Sequence, residues 1–248
     1  SSVRRREWSK VQGRFQDIPF IESPSEARRL IGASLESVTS DFDKAAALWL
    51  NRNRKTLESL GLRDLLSDVR DALPLHPVTL AVLPELCSRY GQNERTLFSF
   101  LAGSEPNAVP AFLDRMAWSP GQTLPLIGLD LLYDYFLESS ANMIGVADGA
   151  SRWIEIETRI RDTAGLNPFE LQVLKAVGVL NLVSTGGRLR ASQAVLEFVL
   201  NADGTEEDGS VEQALASLSE SGLIVYRSFS DEYRIWQGSD YDLKRVVA

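Results

Sequence analysis

Apolar residues recur every three or four positions along most of this chain, the spacing of one buried face per helix, and two-residue alternation is confined to short segments. In SSVRRREWSKVQGRF, Trp8, Val11 and Phe15 fall on one side of a basic amphipathic helix. DIPFIE then alternates Ile18 and Phe20 around Pro19 and reads as a short strand. No further strand pattern follows for about 200 residues, so its sheet partners are expected to precede Ser1.

A run of helices comes next. Ser23 caps, Pro24 opens and Glu26 completes a helix start in SPSEARRLIGASL. Further helices are expected over Asp41–Leu60, stopped by Gly61, and over Leu62–Leu73, halted by Pro74. Pro77–Tyr90 and Asn93–Ala102 follow on either side of Gly91, with Asn93 as a cap, then Ala108–Ala117, Leu126–Ser139 and Ala147–Thr163. Connections are short, as in a helical bundle.

The pattern changes near Thr163–Asn167. Asn167 caps and Pro168 opens a helix whose Phe169, Val173, Leu174, Val177 and Leu180 form an apolar stripe. ASQAVLEFVL is a second helix, and SVEQALASLSESG, capped by Ser210 and ended by Gly222, is a third. LIVYRS and EYRIWQ are alternating strands joined by Phe229–Asp231. Three helices followed by a hairpin is the order of a winged helix. The expected fold is therefore mainly α: a helical bundle followed by a winged-helix domain with a short β-hairpin.

Charge narrows what such a module does. The 248 residues hold 26 Lys and Arg against 34 Asp and Glu, a net charge of -8, which argues against broad attraction to nucleic acid or anionic lipid. From Leu166 onward there are seven basic and twelve acidic residues. The third helix carries Glu212 and Glu220 and no basic residue, whereas a helix reading the major groove needs Arg, Lys, Asn or Gln aimed at bases. Only Arg227 and Arg234 on the hairpin offer phosphate contacts. DNA binding is disfavoured by charge, and packing against protein is the expected use.

The chemistry-bearing residues are sparse. His76 is the only histidine and Cys87 the only cysteine. Eleven residues along one helix separate them by about 15 Å, too far for a nucleophile and its base. A lone histidine excludes triads and two-histidine metal sites, and a lone cysteine excludes thiolate clusters and internal disulfides. Cys87, beside Leu83, Leu86 and Tyr90, reads as a small core residue, and a reducing, cytoplasmic setting is expected. No apolar run approaches the roughly 20 residues of a membrane span, and no phosphate loop with its lysine and hydroxyl pair occurs. Catalytic residues and metal ligands are therefore expected to be absent from this chain. Arg95, in the first turn after Asn93, sits where a cation is mildly unfavourable. It needs a partner, either an anionic ligand or a carboxylate such as Glu85 or Glu94.

The orphan strand, PLHPVTLAVLPEL, GQNERTLFSFL and the ending EYRIWQGSDYDL together resemble the C-terminal half of a large bacterial P-loop NTPase of the AAA+/STAND-like type. The chain is similar to anti-phage defence ATPases, in which an ATPase core is followed by a helical lid and a winged helix. The matching stretches cover about a quarter of the chain and are lid signatures rather than catalytic ones. The resemblance implies a division into a core remnant over 1–22, a lid-like bundle over 23–165 and a winged helix over 166–248. It implies that His76 and Pro77 lie near an adenine, that Arg95 senses phosphates, and that Arg14 contacts a neighbouring subunit's nucleotide. The phosphate loop and the metal-binding acidic strand are missing, so ATP and Mg belong to a longer parent, of which this chain, beginning Ser-Ser-Val without Met, is expected to be an excerpt. The implied partners are the upstream ATPase core, an effector protein reached through the winged helix, and further copies of the same chain. The alternatives are a free-standing winged-helix transcriptional regulator and a protein-binding scaffold.

Overall fold

The computed structural model describes residues 24–35, 40–90, 94–116, 118–140, 150–163, 165–183, 189–200 and 210–236. The expected strand over 18–20, the basic helix before it and Arg14 lie outside these residues. Eleven α-helices and one two-stranded antiparallel sheet make up the described part. In chain order they are α1 (Pro24–Ser34), α2 (Ser40–Ser59), α3 (Val69–Ala72), α4 (Pro77–Tyr90), α5 (Glu94–Ala102) and α6 (Val109–Arg115). These are followed by α7 (Leu129–Ser140), α8 (Ala150–Arg161), α9 (Pro168–Val183), α10 (Gln193–Leu200), α11 (Val211–Glu220), β1 (Ile224–Arg227) and β2 (Glu232–Ile235).

Local chemistry accounts for the starts and stops. Gly61 and Gly222 take positive φ values of 74° and 70° just beyond α2 and α11, the left-handed turn that glycine adopts without a Cβ penalty. Asn167 accepts from the Glu170 N–H at 2.8 Å while Glu170 reaches back to the Asn167 N–H at 2.9 Å, a reciprocal box that opens α9. Ser210 and Gln213 do the same for α11.

Two expected helices differ in detail. Leu62–Leu73 is not continuous: a 3-10 turn at Arg63–Leu65 precedes the single turn of α3. The tighter winding brings Leu62 and Leu65 onto one face, where both are buried, and Arg28 of α1 clamps the segment through Asp68 at 3.0 Å. The helix expected from Leu126 begins at Leu129, because Ile127 is extended and bridges Leu75. Its N–H donates to Pro74 O at 2.8 Å, and its carbonyl accepts from the His76 N–H at 3.1 Å and the Thr79 hydroxyl at 2.9 Å. That small clasp holds the start of α4 in place.

α9 is the hub. Val173, Leu174 and every residue from Ala176 to Val183 are buried, so the expected stripe is buried except for the half-buried Phe169, and from Ala176 onward burial extends to all sides of the helix. α9 packs against α4, α7 and α8 and also against α10, α11 and β2. At Gly178 neighbouring elements come close to α9: a Cβ there would lie 3.0 Å from Ile156 of α8 and 3.4 Å from Ile235 of β2. The buried side chains form one cluster reaching from Ile31 to Ile235. The hairpin pairs Ile224 with Ile235 and Arg227 with Glu232. Asn181 of α9 pins its inner edge, donating to Tyr233 O and accepting from the Ile235 N–H, both at 2.9 Å.

Candidate functional site

His76 precedes Pro77, which fixes φ and opens α4 without needing an N–H partner. The ring turns back on the helix it starts: Nδ1 accepts from the Val78 N–H at 3.2 Å. An acceptor Nδ1 puts the proton on Nε2, so the neutral tautomer is set by the cap itself. Trp49 of α2 stands edge-on to the ring at 5.9 Å and Phe198 of α10 at 4.7 Å, with Trp49 and Phe198 themselves 6.1 Å apart. His76 is 0 % exposed. Desolvation pushes its pKa down to about 3, opposed in small part by the Phe198 backbone facing it. That backbone contact is not a hydrogen bond of ordinary geometry, and Nε2 is left unpaired, as is the equally buried Nε1 of Trp49. Two unpaired donors in one aromatic cluster cost about 1–3 kcal/mol each.

The cluster joins distant parts of the chain. Trp49 lies on α2, His76 directly precedes α4, and Phe198 lies on α10. A second tie runs from the other end of α4, where Arg89 donates to Leu182 O at 3.0 Å and Tyr90 donates to the same oxygen at 3.4 Å. Arg89 also pairs with Glu85 at 2.6 Å. α4 is thus held against α10 at its start and against α9 at its end.

The residues expected near a nucleotide are placed as follows. His76 and Pro77 are buried, with Trp49 and Phe198 over the imidazole, so contact with an adenine requires that cluster to part. Arg95 lies in the first turn of α5, as expected, and its side chain is outside the described residues. Glu85, one of its expected carboxylate partners, is engaged by Arg89. Cys87 is buried, and its thiol pKa is pushed up to about 12 by desolvation, which leaves it inert as a nucleophile. Among the described residues no group of His, Cys, Asp and Glu is arranged to hold a metal ion, and no helix is long and apolar enough to cross a membrane.

Sequence reading missed Trp49 and Phe198. Both sit at helical core spacing, and nothing local distinguishes them from other core aromatics. Comparison of the chain with protein-family models, with curated proteins and with solved structures finds no match.

Proposed function

We propose that this chain is the non-catalytic lid and C-terminal regulatory portion of a P-loop ATPase of the anti-phage defence type. In this reading it couples the nucleotide state of an upstream core to a protein partner. The observation that carries the coupling is the Trp49–His76–Phe198 cluster. It joins bundle to C-terminal unit at the expense of two unpaired buried donors. An arrangement in which Phe198 withdraws would hydrate both donors, so the junction has a second state to move toward. His76 then acts as the latch between lid and C-terminal unit, and Arg95 remains the residue proposed to sense phosphate. ATP and Mg are held by the parent's core.

The C-terminal unit is proposed to be a winged helix. In support, the Tyr233 N–H donates to Ala191 O at 2.8 Å, which lays the segment before α10 alongside β2 as a third strand of such a sheet would lie. The exposed face of α11 presents Glu212, Gln213, Ser217 and Glu220, an acidic surface that repels phosphate and favours a protein partner over DNA.

The test begins with the coding sequence upstream of Ser1. A phosphate loop followed by an acidic strand is expected, and a start codon directly before Ser1 sinks the reading. In the parent, Arg95→Ala should raise the KM for ATP. Phe198→Ala should leave nucleotide affinity intact while uncoupling turnover from partner binding. Unchanged ATP affinity and turnover in Arg95→Ala would remove the sensor role.

A further inference from the structure

Where α8 and α11 end, the chain leaves an open cleft of about 340 Å³ lined by Arg159, Asp162, Thr163, Leu166, Ser221 and Leu223. Arg159 is unlike its neighbours. On the same helix Arg152 pairs with Glu155 at 3.2 Å and Arg161 with Glu157 at 3.1 Å. Arg159 has no such partner among the described residues, and its Nε is buried without a hydrogen bond.

The remaining polar groups have the opposite character. Thr163 Oγ1 already donates to Arg159 O at 2.7 Å, and Ser221 Oγ to Leu218 O at 3.0 Å, so each hydroxyl has only lone pairs left to offer. Asp162 approaches Arg161 no closer than 3.9 Å, beyond hydrogen-bond range. Two helix C-termini meet at the cleft; most of their last carbonyls are capped, yet the negative ends of the two helix dipoles still favour a positive charge. The cleft therefore offers one guanidinium donor on one side and a set of acceptors on the other.

That division selects among ligands. A phosphate dianion would meet a single guanidinium against Asp162 and two negative helix ends. A bare ammonium would leave Arg159 unmatched. A zwitterion answers both sides, and Leu166 and Leu223 provide an apolar wall for a side chain. We propose that this cleft binds a free α-amino acid with an apolar side chain, its carboxylate on Arg159 and its ammonium on Asp162, Thr163 and Ser221. The site joins the last bundle helix to the end of α11, so occupancy stabilises their contact by mass action. It stands independently of the ATPase reading.

The test uses the full chain. L-leucine, L-isoleucine, L-valine, L-methionine and L-phenylalanine are screened by thermal shift at about 10 mM, enough to populate a millimolar site. Hits are then titrated by calorimetry beside isocaproate, which carries only the carboxylate, and isoamylamine, which carries only the ammonium. At least one amino acid should bind, with both half-ligands weaker by about tenfold or more. Arg159→Gln should lose about tenfold or more in affinity at unchanged circular dichroism. No binding by any of the five, equal affinity for isocaproate or isoamylamine, or undiminished affinity in a folded Arg159→Gln protein would each overturn the proposal. If Arg159→Gln does not fold, the half-ligand comparison on the wild type decides.

Discussion

Acidification should unlatch the aromatic cluster by a calculable amount. His76 has a folded-state pKa of about 3 against about 6.5 unfolded. Between those values the unfolded chain binds a proton that the folded chain refuses. The stability from keeping His76 neutral is thus present above pH 6.5 and is lost as pH falls toward 3. From pH 7 to pH 5 the loss is about 2 kcal/mol at about 1.4 kcal/mol per pH unit below 6.5, or about 4–8 °C in Tm for a chain of this size. Because His76 is the only histidine, no other side chain has its ordinary pKa in this window. Glu85, whose pKa burial raises, works in the opposite direction at the lower end, so the comparison must be differential. Urea unfolding of wild type and His76→Asn at several pH values from 5 to 7 supplies it, since asparagine can still accept from the Val78 N–H but does not titrate. The wild type should lose about 2 kcal/mol more than the variant over that range. In the wild type the single histidine C2 proton should hold one chemical shift from pH 8 to pH 5. A ring that titrates near 6.5 in the folded protein, or parallel stability curves for the two proteins, would refute the buried, neutral latch.

Three further substitutions or reagents probe the surroundings. Asn181→Leu strands the Ile235 N–H and the Tyr233 carbonyl and should destabilise by about 2–5 kcal/mol, with faster exchange of the Ile235 amide. Gly178→Leu forces a side chain between α8, α9 and β2 and should cost about 1–3 kcal/mol or more by overpacking, measured by chemical denaturation. Cys87 should resist Ellman's reagent in the folded state and react fully in denaturant; rapid labelling of the native chain would contradict its burial.

Much of the helical plan was readable because helix ends are written locally. The Asn167 and Ser210 caps, the glycine stops at 61 and 222 and the Pro77 start each depend on residues within a turn of one another. The break between Leu62 and Leu73 was not readable locally, and the segment is held by a contact from Arg28 far upstream to Asp68. The same limit applied to the site. Pro77 announces a helix, yet what covers His76 is decided by Trp49 and Phe198, which only tertiary packing brings together. Periodicity marked α9 as amphipathic because its apolar residues outnumber what one face needs, and period alone does not reveal that two sets of neighbours claim the surplus.

That doubly claimed helix changes what cutting the chain would do. A protease acting in the loop around 163–167 would sever the backbone without releasing either piece, since α9 would still be wedged among α4, α7 and α8. Producing 166–248 alone would instead bare the side of α9 that those helices cover, and the piece should self-associate until the bundle is supplied in trans. Each half is the other's solvent shield.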